Sequence, residues 1–376
     1  MVLCRSGWCV GLTILVFGCR GAEGPKQRSA NRAGCLLTGL TYIPRCVTFS
    51  PNEEVVVAGT GHSGSRGSVG EILVWEVATG RLMDRLTARS EVKDVAFTPQ
   101  GRELVAVVGG QIDVWNTQSW EVIRSIGTIG ALGIGRYCSV TPLPDGTRLV
   151  AGGSYGEVDV VRLSDGKVSR PIEGRWANFL SGNLASIKCI ARAGHVVAYG
   201  GLGRVCVRDL ESGLMRKWTI PKREGETDPL EIEVFGLSPS GDILADIRDL
   251  DTVEIRDTSS GMLLKTFVPG GLICAAMSPN GRLVATGDRS VCLWDIAAGE
   301  IVWREETQGD YAVRCVAFSG SCDMLIWGES SLRDRRHRVQ VRRLSASMLR
   351  DSGTPTGSKG ARGPGQKPRA TIGGRG

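Results

Sequence analysis

The sequence repeats one arrangement of strand-like segments seven times. Residues 281–299, GRLVATGDRSVCLWDIAAG, show it most clearly: two apolar runs are separated by Gly-Asp, and a tight turn follows the second run. We call the residue near the end of the second run, here Trp294, the anchor of the repeat. Successive anchors follow at intervals of 38 to 48 residues, at Trp75, Trp115, Val161, Arg208, Arg256, Trp294 and Arg342. A period of this length, with four strand-like segments in each unit, is typical of a β-propeller.

Most units also contain two tight turns. In five units the first turn has proline, then usually a small polar residue and glycine, as in Ser278-Pro279-Asn280-Gly281, and in five units the second turn ends in glycine, as in Ala298-Gly299. Proline presets φ at the second turn position, and glycine accepts the conformation that closes the turn. With 52 glycines and no long helical pattern, the chain is predicted to be all-β.

Over residues 35–349 the pattern resembles the WD-repeat β-propeller family. The resemblance rests on the Pro-x-Gly turns and on anchors at Trp75, Trp115, Arg208-Asp209, Arg256-Asp257 and Trp294-Asp295. It implies a seven-bladed propeller of four-stranded antiparallel blades. Two features depart from the family: no Gly-His dipeptide opens a repeat, and the anchors at 161–162 and 342–343 are degenerate, as is common in bacterial members.

The anchors and the first strand have expected structural roles. Trp294 is predicted to fill the space between blades, and Asp295 to accept backbone N–H groups where the chain turns. The seventh repeat lacks a convincing fourth strand, whereas Cys35–Tyr42 is an apolar segment without a blade of its own. In this family the N-terminal strand often completes the last blade, so this segment is predicted to close the ring.

The two rims of such a ring should differ. The turns between first and second and between third and fourth strands are short, and we call their side the short-turn rim. The remaining connections form the long-loop rim, with loops predicted at Thr60–Gly70, Gly127–Tyr137, Glu173–Ser186, Lys222–Glu231 and Glu329–Arg338. Connections longer than the fold requires often carry binding residues.

The long-loop rim is therefore the predicted partner-binding face. Its candidate residues are of the types that dominate interaction hot spots or carry a cation. They are Arg66, Arg136, Tyr137, Tyr155, Arg175, Trp176, Phe179, Arg289, Tyr311 and Arg336. The alternative is that Trp176 and Phe179 only pack their own loop onto the propeller.

Two other groups have alternative interpretations. Cys46, Cys274 and Cys315 occupy equivalent positions in adjacent blades and could ligate zinc, but no fourth ligand is evident, which favours packing. The basic run Arg333–Arg338 could bind phosphate or nucleic acid, or be a solvated loop. We predict no metal and no cofactor.

The sequence gives little support for an enzyme. His-Glu-x-x-His and a phosphate-binding glycine loop are missing, and only three histidines are present. We therefore predict a non-enzymatic protein. The alternative is an enzyme whose catalytic residues come from several blades and meet at the mouth of the propeller's central channel.

The two ends differ from the middle. Residues 1–45 carry six basic residues and one acidic residue, and residues 350–376 carry the same numbers, so each end has a net charge of +5. With +7 for the whole chain, residues 46–349 carry −3, which disfavours nucleic-acid binding by the folded part. Residues 350–376 are predicted to be a disordered basic tail.

The start of the chain predicts export. Residues 1–19 have Arg5 followed by an apolar run that suits a signal peptide, and Val16–Cys19 resembles a lipoprotein cleavage box with Cys19 as the lipidated residue. Residues 20–34 would be a linker. The alternatives are a buried apolar segment or a wrongly assigned start.

These observations predict a monomeric protein–protein interaction scaffold in the cell envelope or periplasm, with Cys19 as a candidate membrane tether. Two alternatives remain open. One is a periplasmic propeller that binds a small ligand or catalyses a reaction at the channel mouth, and the other is a cytoplasmic regulatory WD-repeat protein.

Overall fold

The strands of this protein form seven antiparallel sheets arranged in a ring. The computed structural model describes residues 34–64, 67–127, 137–153, 156–173, 190–201, 203–222, 232–249, 251–331 and 333–345. These residues contain 29 strands and no helix. The all-β class and the seven-bladed propeller of four-stranded blades are confirmed.

Blades 1 to 4 follow one another along the chain, each running from its innermost to its outermost strand. Blade 1 contains β2 (Pro44–Phe49), β3 (Val55–Thr60), β5 (Gly67–Glu76) and β6 (Leu82–Ala88), with the short β4 (His62–Gly64) pairing with the start of β5. Blade 2 contains β7 (Val92–Phe97), β8 (Glu103–Val108), β9 (Gln111–Asn116) and β10 (Val122–Ile126). Blade 3 contains β11 (Tyr137–Pro142), β12 (Arg148–Gly153), β13 (Val158–Arg162) and β14 (Val168–Glu173). Blade 4 contains β15 (Ile190–Ala193), β16 (Val196–Gly201), β17 (Arg204–Asp209) and β18 (Met215–Thr219).

Blades 5 to 7 complete the ring. Blade 5 contains β19 (Ile232–Leu237), β20 (Ile243–Arg248), β21 (Thr252–Asp257) and β22 (Leu263–Phe267). Blade 6 contains β23 (Cys274–Met277), β24 (Leu283–Gly287), β25 (Ser290–Asp295) and β26 (Glu300–Glu306). Blade 7 contains β27 (Tyr311–Phe318), β28 (Met324–Ser331), β29 (Arg336–Arg343) and, as its outermost strand, β1 (Gly34–Leu37).

The first strand of the chain closes the ring, as predicted. β1 pairs antiparallel with β29, so that Gly34 lies opposite Arg342 and Leu37 opposite Val339. The predicted segment Cys35–Tyr42 is longer than the strand itself, which ends at Leu37. The chain leaves blade 7 there because Gly39 has a φ of +102° and the Thr38 carbonyl accepts a hydrogen bond from Trp75 Nε1 at 3.2 Å.

The anchor tryptophans pack across the interfaces between blades. Trp75 is fully buried in a cluster that contains residues of blades 7 and 1, such as Ile326 and Val47. Trp294 stacks on Phe267 of blade 5, with ring centroids 5.2 Å apart. A single blade cannot bury both of its faces, so these contacts stabilise the ring by joining neighbours.

The innermost strands carry bulges at their long-loop ends. In β2, β7, β11 and β27 the register shifts by one residue, and the extra residues are Arg45, Lys93, Cys138 and Arg314. A bulge re-aims the side chain that it carries. Because the innermost strands of adjacent blades contact one another and enclose the central channel, the partly exposed Arg45, Lys93 and Arg314 lie around its long-loop mouth, whereas Cys138 is buried.

No part of the chain that the structure describes forms a helix that is long and apolar enough to cross a bilayer.

Candidate functional site

The short-turn rim is held together by hydrogen bonds within its own turns. Asp257 Oδ1 accepts the backbone N–H groups of Ser259 and Ser260 at 3.1 and 2.7 Å, and Asp209 does the same for Glu211 and Ser212. Hydrogen bonds from the hydroxyls of Ser259 and Ser260 lower the pKa of Asp257 to about 2. As expected, Asp295 Oδ1 accepts the N–H of Ala298, at 2.8 Å.

Serine residues stabilise the Pro-Gly turns in the same way, a role that our sequence analysis missed. Ser278 Oγ accepts the N–H of Leu283, five residues later, at 2.9 Å. The same bond recurs at three other turns, for Ser50 and Val55, Ser238 and Ile243, and Ser319 and Met324. A serine at the end of the first strand, five residues before the second, was the available signal. Side-chain oxygens of this rim are thus used to hold its own turns, while Arg81 and Arg102 remain exposed.

Two of the predicted long loops are mostly strand. In segment Thr60–Gly70, β4 pairs with β5, and His62 lies opposite Val69. In segment Glu329–Arg338, β28 and β29 extend to Ser331 and Arg336, which lie opposite each other. The loop prediction for these two segments is therefore wrong: backbone pairing continues beyond the blade and forms projecting hairpins. The other three predicted loops lie mostly outside the described residues.

Cross-strand contacts explain the hairpin of blade 7. Glu329 is 2% exposed and forms an ion pair with Arg338 at 2.5 Å. Trp327 Nε1 donates to the other oxygen of Glu329 at 2.7 Å, and His337 Nδ1 lies 3.1 Å from Ser330 Oγ. A charged sequence that reads as a loop thus becomes an ordered strand pair, because its polar side chains find partners across the hairpin.

The ten predicted partner-binding residues do not all fall within the described part of the chain. Outside it lie Arg66, Arg136, Tyr155, Arg175, Trp176 and Phe179, and also the lipidation candidate Cys19. Arg289 is exposed in the turn between β24 and β25, and Arg336 is exposed at the start of β29. Tyr311 is half-buried, and the Arg338 guanidinium lies over its ring, 4.0 Å from the centroid.

Tyr137 belongs to the core rather than to the accessible rim. Its side chain is 1% exposed, and its hydroxyl donates to Asp159 Oδ2 at 3.0 Å. As the first residue of β11, it points between blades 2 and 3, against residues such as Ile112 and Val161. The sequence correctly placed Tyr137 near the long-loop rim, but it did not predict that the side chain points into the core.

Two arginines lie at the channel mouth on adjacent blades. Arg45 and Arg314 are the extra residues of the bulges in β2 and β27. The nearest carboxylate to Arg45 is that of Glu91, with Nη2 and Oε2 3.7 Å apart, and Arg45 Nε is buried without a hydrogen-bond partner among the described residues. Burial, and next the charge of Arg45, lower the pKa of Arg314.

The hairpin of blade 7 adds more positive charge to the same sector. Arg333, Arg335 and Arg336 are exposed, and none of them forms an ion pair with another described residue. Burial and the charge of Arg314 lower the pKa of His337 in the same hairpin. The hairpin and the channel mouth are therefore electrostatically coupled.

The three equivalent cysteines pack against glycines of the neighbouring strand. Cys46 pairs with Gly59, Cys274 with Gly287 and Cys315 with Gly328, and a Cβ atom on each glycine would lie 2.6 to 2.8 Å from the sulfur. Burial raises the pKa of all three thiols, that of Cys315 to about 12. No set of three potential metal-ligating side chains comes together among the residues described. These contacts favour the packing interpretation.

Two buried carboxyl groups escaped the sequence analysis. Asp94 occupies in β7 the position that Cys46 has in β2, and its oxygens accept the N–H groups of Val95 and Val140, each at 2.9 Å. The second bond joins blades 2 and 3. Burial raises the pKa of Asp94 well above its usual value.

The other group lies in a charged cluster inside blade 5. Arg256 Nε donates to Asp246 Oδ2 at 3.0 Å and its Nη2 donates to Glu254, while Arg248 lies 3.9 Å from Glu254. Burial raises the pKa of Asp246 to about 7 against the opposing charge of Arg256. All four residues are buried, and Asp246 Oδ1 has no hydrogen-bond partner in the described structure.

Comparison with known proteins agrees with this architecture. The family model described as WD domain, G-beta repeat, matches residues 261–295, from the end of blade 5 through the third strand of blade 6. Periodic tryptophan protein 2 of Arabidopsis thaliana is 26% identical over 192 residues, which are 46% of this chain and 20% of that protein. Its homolog in Schizosaccharomyces pombe is 25% identical over 198 residues, 48% of this chain and 22% of that protein. The matches span about a fifth of the length of these curated relatives.

Two solved structures share the fold. The structure of U3-55K superposes with a TM-score of 0.68 at 16% identity, covering 83% of this chain and 98% of that one. The crystal structure of RRP9 WD40 repeats gives a TM-score of 0.67 at 16% identity, with 85% and 99% covered.

Proposed function

We propose that this WD-repeat β-propeller is a non-enzymatic scaffold that binds a partner protein on its long-loop rim. The observation that carries the proposal is the difference between the two rims. On the short-turn rim, side chains such as Asp257 and Ser278 are used to hold tight turns. On the long-loop rim, two hairpins project beyond the blades, and the hairpin of blade 7 presents three exposed arginines that form no ion pair with another described residue.

The exposed residues of the long-loop rim support this use. Arg289 and Arg336 are exposed without an ion pair to any described residue, and Tyr311 holds Arg338 in a stacked orientation. Arginine is enriched at interaction hot spots because it combines an apolar stem with a planar array of donors. A rigid ring is a suitable support because little conformational entropy is lost on binding.

Site-specific photocrosslinking in the native cell tests the proposal. A photoreactive amino acid at Arg289 or Arg336 should give a discrete adduct whose partner is identified by mass spectrometry. The matched control carries it at Arg81 or Arg102, which are exposed on the short-turn rim and should give no adduct. Adducts from the control positions, or none from the long-loop rim, would contradict the proposal.

We further propose that the propeller is a monomer, exported to the cell envelope or periplasm and tethered there through Cys19. The support is the apolar run before Cys19 in the sequence, which lies outside the described residues. Intact-mass measurement of the native protein, after separation of membrane and soluble fractions, tests this. A chain that starts at acylated Cys19 is expected. An unmodified full-length chain in the soluble fraction would overturn it.

A further inference from the structure

We propose that the channel mouth between blades 7 and 1 binds an acidic side chain of the partner protein. This site, the channel-mouth site, consists of Arg45 and Arg314, with the exposed hairpin arginines Arg333, Arg335 and Arg336 beside it. The inference rests on the proposed function and adds the chemistry by which the partner is recognised.

The first support is the way in which the fold places two cations together. Equivalent bulges put Arg45 and Arg314 at the same level of adjacent innermost strands. Their charges are close enough for Arg45 to lower the pKa of Arg314. The carboxylate of Asp288 opposes this effect on Arg314 but acts more weakly than Arg45. Like charges in a partly buried place are unfavourable unless anions compensate for them fully.

The second support is a hydrogen-bond donor of Arg45 that has no acceptor among the described residues. Arg45 Nε is buried without a hydrogen-bond partner among the described residues, and Glu91 approaches only Nη2, at 3.7 Å. A buried N–H of a guanidinium group costs free energy when it is unsatisfied. A carboxylate entering the mouth would accept this donor, and planar bidentate recognition of carboxylates is the characteristic chemistry of arginine.

The third support is the local concentration of positive charge. Arg333, Arg335 and Arg336 form no ion pair with another described residue, whereas Arg338 is neutralised by Glu329. The net charge of residues 46–349 is −3, so this positive sector is a local feature of a slightly acidic propeller. Exposed cations around a narrower basic site attract an acidic segment and raise its association rate.

The same observations favour a protein over a nucleic acid. Binding along a phosphate backbone needs a continuous basic stripe, which an acidic propeller with one basic sector does not offer. Single strands also need aromatic platforms for base stacking. The ring of Tyr311 is already covered by Arg338 on this side.

Peptide binding to the full chain tests the inference. The probes are a short fluorescent glutamate-rich peptide, the same peptide with glutamine, and a fluorescent single-stranded oligonucleotide, all followed by anisotropy. We expect only the glutamate peptide to bind, and its affinity to fall as salt is raised because the contact is electrostatic. Binding of the oligonucleotide in preference to the peptide, or equal binding of both peptides, would overturn the inference.

Two variants and a matched control locate the site. Arg45→Gln and the triple variant Arg333→Ser/Arg335→Ser/Arg336→Ser should each weaken peptide binding by about tenfold or more, a typical cost of losing a charge-assisted contact. The triple variant changes exposed residues and should keep the melting temperature, so it remains informative if Arg45→Gln does not fold. The control, Arg81→Ser/Arg102→Ser/Arg216→Ser, removes the same charge elsewhere on the surface and should bind as the wild type does. Equal weakening in the control would overturn the site.

Failure of this inference can be separated from failure of the proposed function. If crosslinks from Arg289 persist in the triple variant and the glutamate peptide does not bind, the long-loop rim binds a partner by other chemistry. If crosslinks are absent while the glutamate peptide binds at the channel mouth, the site exists without the proposed scaffold role.

Discussion

Arg256 Nε donates to Asp246 Oδ2 at 3.0 Å, in the place where blade 6 has Trp294 Nε1 donating to Thr286 Oγ1, also at 3.0 Å. In both blades the acceptor lies on the second strand, opposite the residue two positions before the anchor. The anchor position therefore keeps its hydrogen bond when tryptophan is replaced by arginine, because the acceptor changes from a hydroxyl to a carboxylate.

Arg256→Met should destabilise the propeller strongly. The variant leaves Asp246 and Glu254 buried without their principal cation, and breaking a buried ion pair on one side typically costs about 3–5 kcal/mol. The free energy of unfolding in urea measures the effect. Arg216→Met, on the exposed face of β18, is the control and should change it by less than about 0.5 kcal/mol.

The paired change Asp246→Thr/Arg256→Trp tests whether the two blades use equivalent anchors. It installs the side chains of blade 6 in blade 5, so it should be more stable than the sum of its two single variants predicts. Additive losses would show that the two anchors are not equivalent.

The pH dependence of folding stability should show that the pKa of Asp246 is raised in the folded chain. Its pKa is raised to about 7 in the folded chain, from about 3.9 in an unfolded one, so the folded state holds the proton more tightly. The corresponding stability is present below about pH 4 and is lost as pH rises through about 7. Asp246→Asn keeps the group neutral at every pH.

The measurement is the difference in melting temperature between wild type and Asp246→Asn, taken at pH 5 and at pH 8. The difference should move in favour of the variant at pH 8. Using a difference is necessary because Asp94, whose pKa is also raised by burial, contributes to the pH dependence of both proteins. A difference that does not change with pH would contradict the assignment.

The repeat period predicted the ring well because the turns of most blades have recognisable residue types at regular positions in the sequence. Pro279-Asn280-Gly281 and Ala298-Gly299 fix two turns of blade 6, and the missing fourth strand of blade 7 indicated that β1 would complete it. The residue types of the turns and the number of strands in each repeat were sufficient to predict the ring, since both depend on sequence order and not on side-chain direction.

The candidate site was harder to predict because blade strands are buried on both faces. Such strands lack the alternation that shows which way a residue points. Tyr137 therefore could not be assigned to the core, nor Asp94 to a contact between blades. The hairpin at Glu329–Arg338 was missed for a different reason: its charges resemble those of a loop until their cross-strand partners are known.

Removing β1 should lower the melting temperature of the propeller. A chain that lacks residues 1–37 loses the outermost strand of blade 7 and the burial of Leu37, whereas a chain that lacks residues 1–33 retains both. Comparing the two by calorimetry isolates the strand from the segment that precedes it. Identical melting temperatures would show that ring closure does not depend on this pairing.

The reactivity of the buried thiols should distinguish packing from a metal site. Cys46, Cys274 and Cys315 are buried with raised pKa values, so little thiolate is available to react. Iodoacetamide at pH 8, followed by peptide mass spectrometry, should modify the half-buried Cys35 while these three react only after unfolding.

The chelator EDTA provides the deciding comparison for these thiols. If the cysteines pack against Gly59, Gly287 and Gly328 alone, their modification and the melting temperature should be the same with and without EDTA. If they ligate zinc, the chelator should expose them and lower the melting temperature, because metal affinity adds directly to folding stability. We expect no effect of EDTA, since each sulfur already lies against the glycine of the next strand and has no room for an ion on that side.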